Sequence, residues 1–562
     1  MKFLLALLIF YTPIFSQNYP QDYFQSPLEI PMQLAGNFGE LRPNHFHTGF
    51  DFRTQQKEGL PVFAVADGYV SRVKISTYGY GKAIYIDHPN GYTTVYGHLQ
   101  NGYGKIAERI RDEHYQAQSY EIEFFPKPGE LTVKKGDTIA WSGNTGGSEG
   151  PHLHFEFRDT KSEKIINPLL FGFDKLMTDT KKPLISSLLV YPLDENSIAN
   201  ASQRPVLVNL SQQKDGNYIA EKIAAMGRIG FGVICGDYDN VSYNNNGVYS
   251  VKSFLNGSQS FGYDFKQLVF EEGRYVNALI DFPRYKSTKQ RVQKLFMRSP
   301  YNLSIISADS HNGVVEVLPN FSQIYKIELA DYYGNTTTIL VPVEYEMQTA
   351  LITQESIKTN YLLKADTDNN YEKEQMSVFF PAHTFYEDFY LNFEVKDKVM
   401  TVHNDMVPVH SNFKVTITDP NVLQKEKTFI AALEGKRKTY HSTKVNGDTF
   451  TAYSKNLGQF MLVTDTIAPK ISIVKPIQGK FINKDKTIAL RISDDLSGIK
   501  SYNGFINDKW VLFEYDNKTA RITYHINDEE LRDGENELKL TVSDNLGNSA
   551  IFETSFLRSP KK

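Results

Sequence analysis

Gly150-Pro151-His152-Leu153-His154-Phe155-Glu156 is the stretch whose reading decides the fold. His152 and His154 alternate with Leu153 and Phe155. That period of two puts both imidazoles on one face of a strand and both apolar side chains on the other. The same texture extends on either side. From Gly36 to about Phe171, short apolar runs recur: Pro61-Val62-Phe63-Ala64-Val65, Ala83-Ile84-Tyr85-Ile86 and Thr93-Thr94-Val95-Tyr96. Bounded by Asp67-Gly68 and Asn90-Gly91, they read as antiparallel strands joined by tight turns. The 37 Phe and 34 Tyr of the chain suit pleated, half-buried surfaces. The expected class is all-β, with an N-terminal antiparallel β domain followed by two or three β-sandwiches.

A chain of 562 residues exceeds one hydrophobic core and implies several domains. Lys2 followed by the apolar run Phe3 to Phe15 and then Ser16 has the layout of a secretory signal peptide over residues 1–16. The remaining chain divides into 17–175, 180–345, 346–462 and 466–558. Within the first segment, residues about 106–130 are charged and partly helix-prone, and read as an insertion or lid. The second and last segments echo each other. Ile234-Cys235-Gly236-Asp237 and Ala330-Asp331-Tyr332-Tyr333-Gly334-Asn335 correspond to Ile492-Ser493-Asp494-Asp495 and Ser543-Asp544-Asn545-Leu546-Gly547-Asn548. These two segments resemble bacterial immunoglobulin-like β-sandwich modules, and Asp465-Thr466-Ile467-Ala468-Pro469 resembles their usual entrance. Segment 346–462 is strand-like and of no type that its residues name.

The net charge of −4 gives no electrostatic case for nucleic acid. No second stretch of membrane-spanning length follows the leader, so no membrane span is expected after its removal. Cys235 is the single cysteine, which excludes an intramolecular disulfide; it reads as buried apolar filler.

Three separated pieces carry the chemistry: His47-Thr48-Gly49-Phe50-Asp51, Tyr96-Gly97-His98-Leu99, and the strand with His152 and His154. The helical His-Glu-x-x-His motif is absent. A hydrolytic zinc site needs three protein ligands and an open position for water. His47, Asp51 and His154 supply two imidazoles and a carboxylate, while His152 and His98 remain to handle protons and stabilise an oxyanion. Neighbouring polar residues have plainer readings. His45 is a structural or rim residue, His88 an exposed turn residue, and Asp67 part of a hairpin turn. Asn144 and Thr145 line the cleft or serve only the turn. Alternation puts Glu156 on the face of His154, either behind a ligand or in a surface salt bridge.

These pieces resemble the motifs of the lysostaphin/LytM-type peptidoglycan endopeptidases, a resemblance covering roughly residues 36–170. It implies an antiparallel β metallopeptidase domain with one Zn2+ per chain on His47, Asp51 and His154, and catalytic roles for His152 and His98. The implied function is an exported metalloendopeptidase, periplasmic or secreted. A zinc-activated water, assisted by the two histidines, would hydrolyse peptide bonds in peptidoglycan stem peptides or cross-links. The C-terminal sandwiches are left as surfaces for protein partners. Two other functions fit the pattern: a non-catalytic wall-binding or amidase-regulating protein, and a peptidase acting on extracellular proteins.

Overall fold

The computed structural model describes residues 19–559 apart from 242, 243, 245, 356, 483–485 and 527–530; the leader read at residues 1–16 lies outside the described residues. Strands dominate, as the sequence patterning requires. No described helix is long and apolar enough to cross a membrane.

The first domain is built on one antiparallel sheet. Its strands run, in spatial order, Leu34–Gly36, Phe50–Arg53, His152–Asp159, Tyr92–Gly97, Lys82–Asp87, Gly68–Ile75 and Ile122–Phe124. A smaller sheet of Pro61–Phe63, Thr138–Trp141 and Asn101–Gly102 accompanies it. Alternation along the central strands explains the core. Phe50, Phe52, Phe155 and Phe157 are each at most 2% exposed, and together with Phe171 and Phe173 they form an edge-to-face and stacked aromatic cluster. Burying each such ring contributes roughly 1.5–3 kcal/mol. The opposite face of the same strands carries the polar residues of interest.

The boundary expected near residue 175 does not separate two cores. Strand Gln267–Leu268 of the second domain pairs with Ile165–Ile166 and so extends the first domain's sheet. Phe265 packs on Phe46, and the apolar clusters of the two domains merge into one. In the second domain the strand Ile223–Gly236 pairs with Leu184–Pro192 along one stretch and, in parallel, with Thr336–Tyr345 along another. Cys235 is half-buried there, with Gln293 Nε2 donating to its Sγ at 3.3 Å; burial pushes its thiol pKa up to about 12, which removes it as a nucleophile.

Residues about 360–465 form two five-stranded sheets around a separate core, and the last domain forms two four-stranded sheets around another. The chain then folds back on its start. Trp510 meets Tyr115 edge-on, and Glu514 pairs with Lys82 at 2.9 Å. The segment expected to be an insertion or lid accounts for part of this contact. It forms the helix Gly104–Ala117 and the edge strand Ile122–Phe124, whose apolar side chains cover the sheet edge away from the cleft. None of residues 106–130 lines that cleft among the described residues. Ile106 and Ile122 draw the segment into the core instead, and Tyr115 presents it to the last domain.

Candidate metal centre

Two cross-strand pairings assemble the site. His154 stands directly opposite Asp51 on one side and Gly97 on the other, so His154 and Asp51 project from adjacent strands onto one face. His47 arrives from the segment before the Asp51 strand. The result is a compact triangle of donor atoms. His47 Nε2 lies 3.0 Å from Asp51 Oδ1, His154 Nδ1 lies 2.9 Å from the same oxygen, and the two nitrogens are 3.3 Å apart. Tetrahedral zinc ligands at about 2.0–2.2 Å from the ion lie about 3.3–3.6 Å from one another. The triangle is slightly tighter, and a small ion reaches all three atoms at once.

The far side of each group is already engaged, which fixes which atom faces inward. His47 Nδ1–H donates to Asn37 O at 2.6 Å, leaving the Nε2 lone pair free. His154 Nε2–H donates to Glu156 Oε1 at 2.9 Å, leaving Nδ1. Arg42 Nη2 donates to Asp51 Oδ2 at 3.2 Å, leaving Oδ1. Partners of this kind set ligand tautomer and orientation. Gly36 makes the Arg42 contact geometrically possible: a Cβ there would stand 2.3 Å from Arg42 Nη2 and 2.8 Å from Asp51 Oδ2.

Glu156 anchors the whole face. It is fully buried. Oε1 accepts from His154, Thr48 and Tyr80, and Oε2 accepts from Nε and Nη2 of Arg158 at 2.8 and 2.7 Å. Burial disfavours its charge, yet Arg158 and His154 hold its carboxyl far below the usual range. The surface salt bridge does not hold, because Glu156 is buried and bonded to His154. Asp51 is likewise depressed well below its ordinary value, burial being outweighed by the surrounding imidazoles of His47, His152 and His154.

His98 and His152 flank the triangle, with their rings 4.6 Å apart. His98 Nδ1–H donates to Thr145 O at 2.8 Å, and His152 Nδ1–H to Gly150 O at 2.9 Å with Ser148 Oγ 3.0 Å away. His98 therefore presents an Nε2 lone pair as a proton acceptor, while His152 Nε2 stands 3.4 Å from Asp51 Oδ1. His98 adopts φ 58°, a conformation that a residue with a side chain takes only when surroundings impose it; its N–H is pinned to Tyr80 O at 2.8 Å. Burial, reinforced by the neighbouring imidazoles, lowers its pKa to about 3, so it stays neutral at working pH. A cleft of about 1140 Å³ opens over these groups, with His45 on its rim as expected.

All five histidine and aspartate residues read from the motifs meet here. His88 does not fit its reading as an exposed turn residue. It is 5% exposed, bonded to Asp67 O and Thr94 Oγ1, and packed edge-on against Phe24, because the turn folds back into the core. Thr145 positions His98 through its carbonyl. Arg42, Asn37, Ser148 and Tyr80 complete the site and carry no motif of their own in the sequence.

The model of Peptidase family M23 matches residues 45–119 and 125–168, a span that includes His47, Asp51, His98, His152 and His154. The chain carries a Peptidase family M23 domain. The M23 match also runs through the whole of the Gly104–Ala117 helix and interrupts only at residues 120–124. A Zu5-like domain model matches residues 360–465, the segment whose type the sequence left open. Among relatives, an uncharacterized metalloprotease of Haemophilus influenzae is 38% identical over 23% of this chain and 21% of its own length. Peptidoglycan DD-endopeptidase ShyC of Vibrio cholerae is 30% identical over 32% of this chain and 34% of its own. The chain thus spans between a fifth and a third of these relatives. The catalytic domain of lysostaphin from Staphylococcus simulans is 27% identical, with 25% of this chain and 92% of that chain covered and a TM-score of 0.19.

Proposed function

We propose that the protein is an exported, zinc-dependent metalloendopeptidase that hydrolyses peptide bonds in the stem peptides or cross-links of peptidoglycan. The observation that carries this reading is the convergence of His47 Nε2, Asp51 Oδ1 and His154 Nδ1, each with its opposite atom already bonded elsewhere. Two imidazoles and one carboxylate are a donor set suited to zinc, with room on the cleft side for a further ligand. Zinc held there supplies Lewis acidity, acidifying water and polarising a scissile carbonyl. His98 and His152 do the proton work. Both line the cleft, accept a proton during attack and return it to the departing amine; the protonated ring donates to the developing oxyanion. Peptidoglycan as substrate is supported by the similarity to ShyC, a peptidoglycan DD-endopeptidase, and a peptide bond as the target by the similarity to the glycyl-glycine endopeptidase ALE-1 of Staphylococcus capitis.

The test is digestion of purified peptidoglycan by the zinc-loaded full chain, with products separated by mass. Release of cleaved cross-links that a chelator stops and His154→Ala abolishes is expected. Absence of products from zinc-loaded protein, or release indifferent to chelator, refutes the proposal.

A further inference from the structure

A second cluster of ionisable groups lies where the second domain meets the M23 domain. Carboxylate oxygens of Asp179, Asp237 and Asp331 lie within 4.8 Å of one another. Asp237 and Asp331 are 7% and 5% exposed. They line a small cavity of about 40 Å³ with Asp239 and Asn246, and its other walls include Asn37, Phe38 and Phe50 of the M23 domain. Like charges so placed disfavour one another, and burial disfavours all of them. Among the described residues no lysine or arginine pairs with Asp179, Asp237 or Asp331. The ammonium of Lys181 is placed instead on the main-chain oxygen of Asp239, at 2.7 Å.

Two further atoms point to a ligand. Among the described residues, Asp237 Oδ1 and Asn246 Oδ1 are both buried without a hydrogen-bond partner, and Asn246 is only 7% exposed. Their residues face each other across an isolated β-bridge, and both line the one cavity. Buried acceptors left unsatisfied are rare in folded proteins and usually mark a missing water or ion. The aspartates, asparagines and tyrosines at this cavity offer oxygen, Met177 adds a thioether, and among the described residues no histidine or cysteine lines it.

The last domain supplies an internal comparison. There Asp465, Asp494 and Asp544 form the equivalent triad. Asn548 bonds to both oxygens of Asp544 and to Asp465 O, as Asn335 bonds to both oxygens of Asp331 and to Asp179 O. In that triad, however, Asp494 Oδ2 takes the N–H groups of Leu496 and Gly498, and Asp465 takes those of Ile467 and Ser497. Backbone donors satisfy those carboxylates. In the second domain the equivalent oxygen of Asp237 is left over.

We propose that Asp179, Asp237, Asp331 and Asn246 form a binding site for a hard divalent cation of the calcium class. Calcium takes oxygen ligands at about 2.3–2.6 Å, so ligands on opposite sides of one ion stand about 4.6–5.2 Å apart, which accommodates the carboxylate spacing. Without an ion, burial and the neighbouring carboxylates of Asp179 and Asp331 push the Asp237 carboxyl up to about 7. The site also braces the M23 domain. Gly247, next to Asn246, exchanges hydrogen bonds with the side chain of Asn37 at 2.8 and 3.1 Å, and Asn37 O receives His47 Nδ1–H. That last consequence rests on the zinc reading of His47; cation binding itself does not.

The experiment titrates Ca2+ into the full chain, stripped of divalent ions and reloaded with one equivalent of Zn2+, by calorimetry and equilibrium dialysis with metal analysis. Uptake of one Ca2+ per chain is expected, with a dissociation constant of about 10⁻⁵–10⁻³ M. Amide hydrogen exchange at Asp237, Asn246 and Gly247 should slow at least about tenfold when Ca2+ is added. Asp237→Asn should weaken binding about 100-fold by removing a charged ligand, and the milder Asn246→Ala about tenfold, while zinc content stays at one. No uptake at millimolar Ca2+, uptake undiminished in both variants, or uptake lost in Asp494→Asn instead would each overturn the proposal. Stabilisation of the Ca2+-free protein by Asp237→Asn, with no Ca2+ bound by the parent, would overturn it in favour of a shared proton. None of these readouts depends on hydrolysis, so they separate this proposal from the peptidase assignment.

Discussion

Zinc binding is expected to expel a proton from His154. In the metal-free protein this ring is 3% exposed between two carboxylates. Burial opposes its charge, but the hydrogen bonds to Asp51 and Glu156 outweigh that penalty and raise its pKa to about 9. Zinc needs Nδ1 as a lone pair, so below pH 9 it competes with the proton. At pH 7, two units lower, the competition costs about 100-fold in affinity, or about 2.7 kcal/mol, and the cost grows about tenfold per further unit. Asp51, held far below the usual carboxylate range, adds nothing over this interval. Calorimetric zinc titrations of chelator-stripped protein, in buffers of differing ionisation heat, should therefore show about one proton released per zinc between pH 7 and 8, with log affinity rising by about one per pH unit. The same group carries a stability signature of fixed sign. A folded-state pKa raised above the unfolded value of about 6.5 gives stability that is complete below pH 6.5 and lost as pH rises through about 9, at most about 3 kcal/mol. The Tm of metal-free protein should fall across that window while that of zinc-loaded protein does not. Zinc binding without proton release, at an affinity flat with pH, would refute the reasoning.

Other outcomes follow from the same geometry. His98→Ala and His152→Ala should each lower kcat about 10²- to 10⁴-fold while zinc content by metal analysis stays at one, because neither ring belongs to the donor triangle. Loss of zinc in either variant would contradict that division. Glu156→Gln removes the buried charge that pairs with Arg158, leaving the guanidinium only the exposed Glu163 carboxylate, and weakens the hold on His154 Nε2; a loss of about 3–5 kcal/mol in denaturant unfolding is expected. Zinc binding should weaken with it, about 10- to 100-fold by competition with a chelator of known affinity. Phe265→Ala, in the second domain, should destabilise the M23 domain by about 3–5 kcal/mol, since its ring packs on Phe46 in a shared core. A fragment ending at residue 175, which lacks that ring and the Gln267–Leu268 strand, should unfold at lower denaturant than the full chain.

How much was legible in the sequence depends on how far each contact reaches along the chain. The alternation His152-Leu153-His154-Phe155 fixed the facing of a whole strand, because side-chain direction in an extended chain depends only on parity. Glu156 was legible to the same degree: its face was predictable, its burial was not. Arg42 and Asn37 act through a side-chain reach and a main-chain carbonyl, which leave no periodic trace in composition. His88 was misjudged because a turn residue next to Asp87 and Asn90 carries no sign that a phenylalanine from the amino-terminal segment will cover it. The helix-prone segment was recognised as helical, but its place was set by distant partners, Tyr115 against Trp510 among them.

The sequence by itself determined the β architecture, the donor types and their order along the chain, since period-two patterning and residue chemistry are local properties. Tertiary structure alone decided that the second domain completes the first domain's sheet, that the last domain returns to dock on Lys82, and that four aspartates line one buried cavity. Those outcomes depend on long-range pairing and burial. A chain position does not encode its distance from residues 100 or 400 places away until the cores have packed.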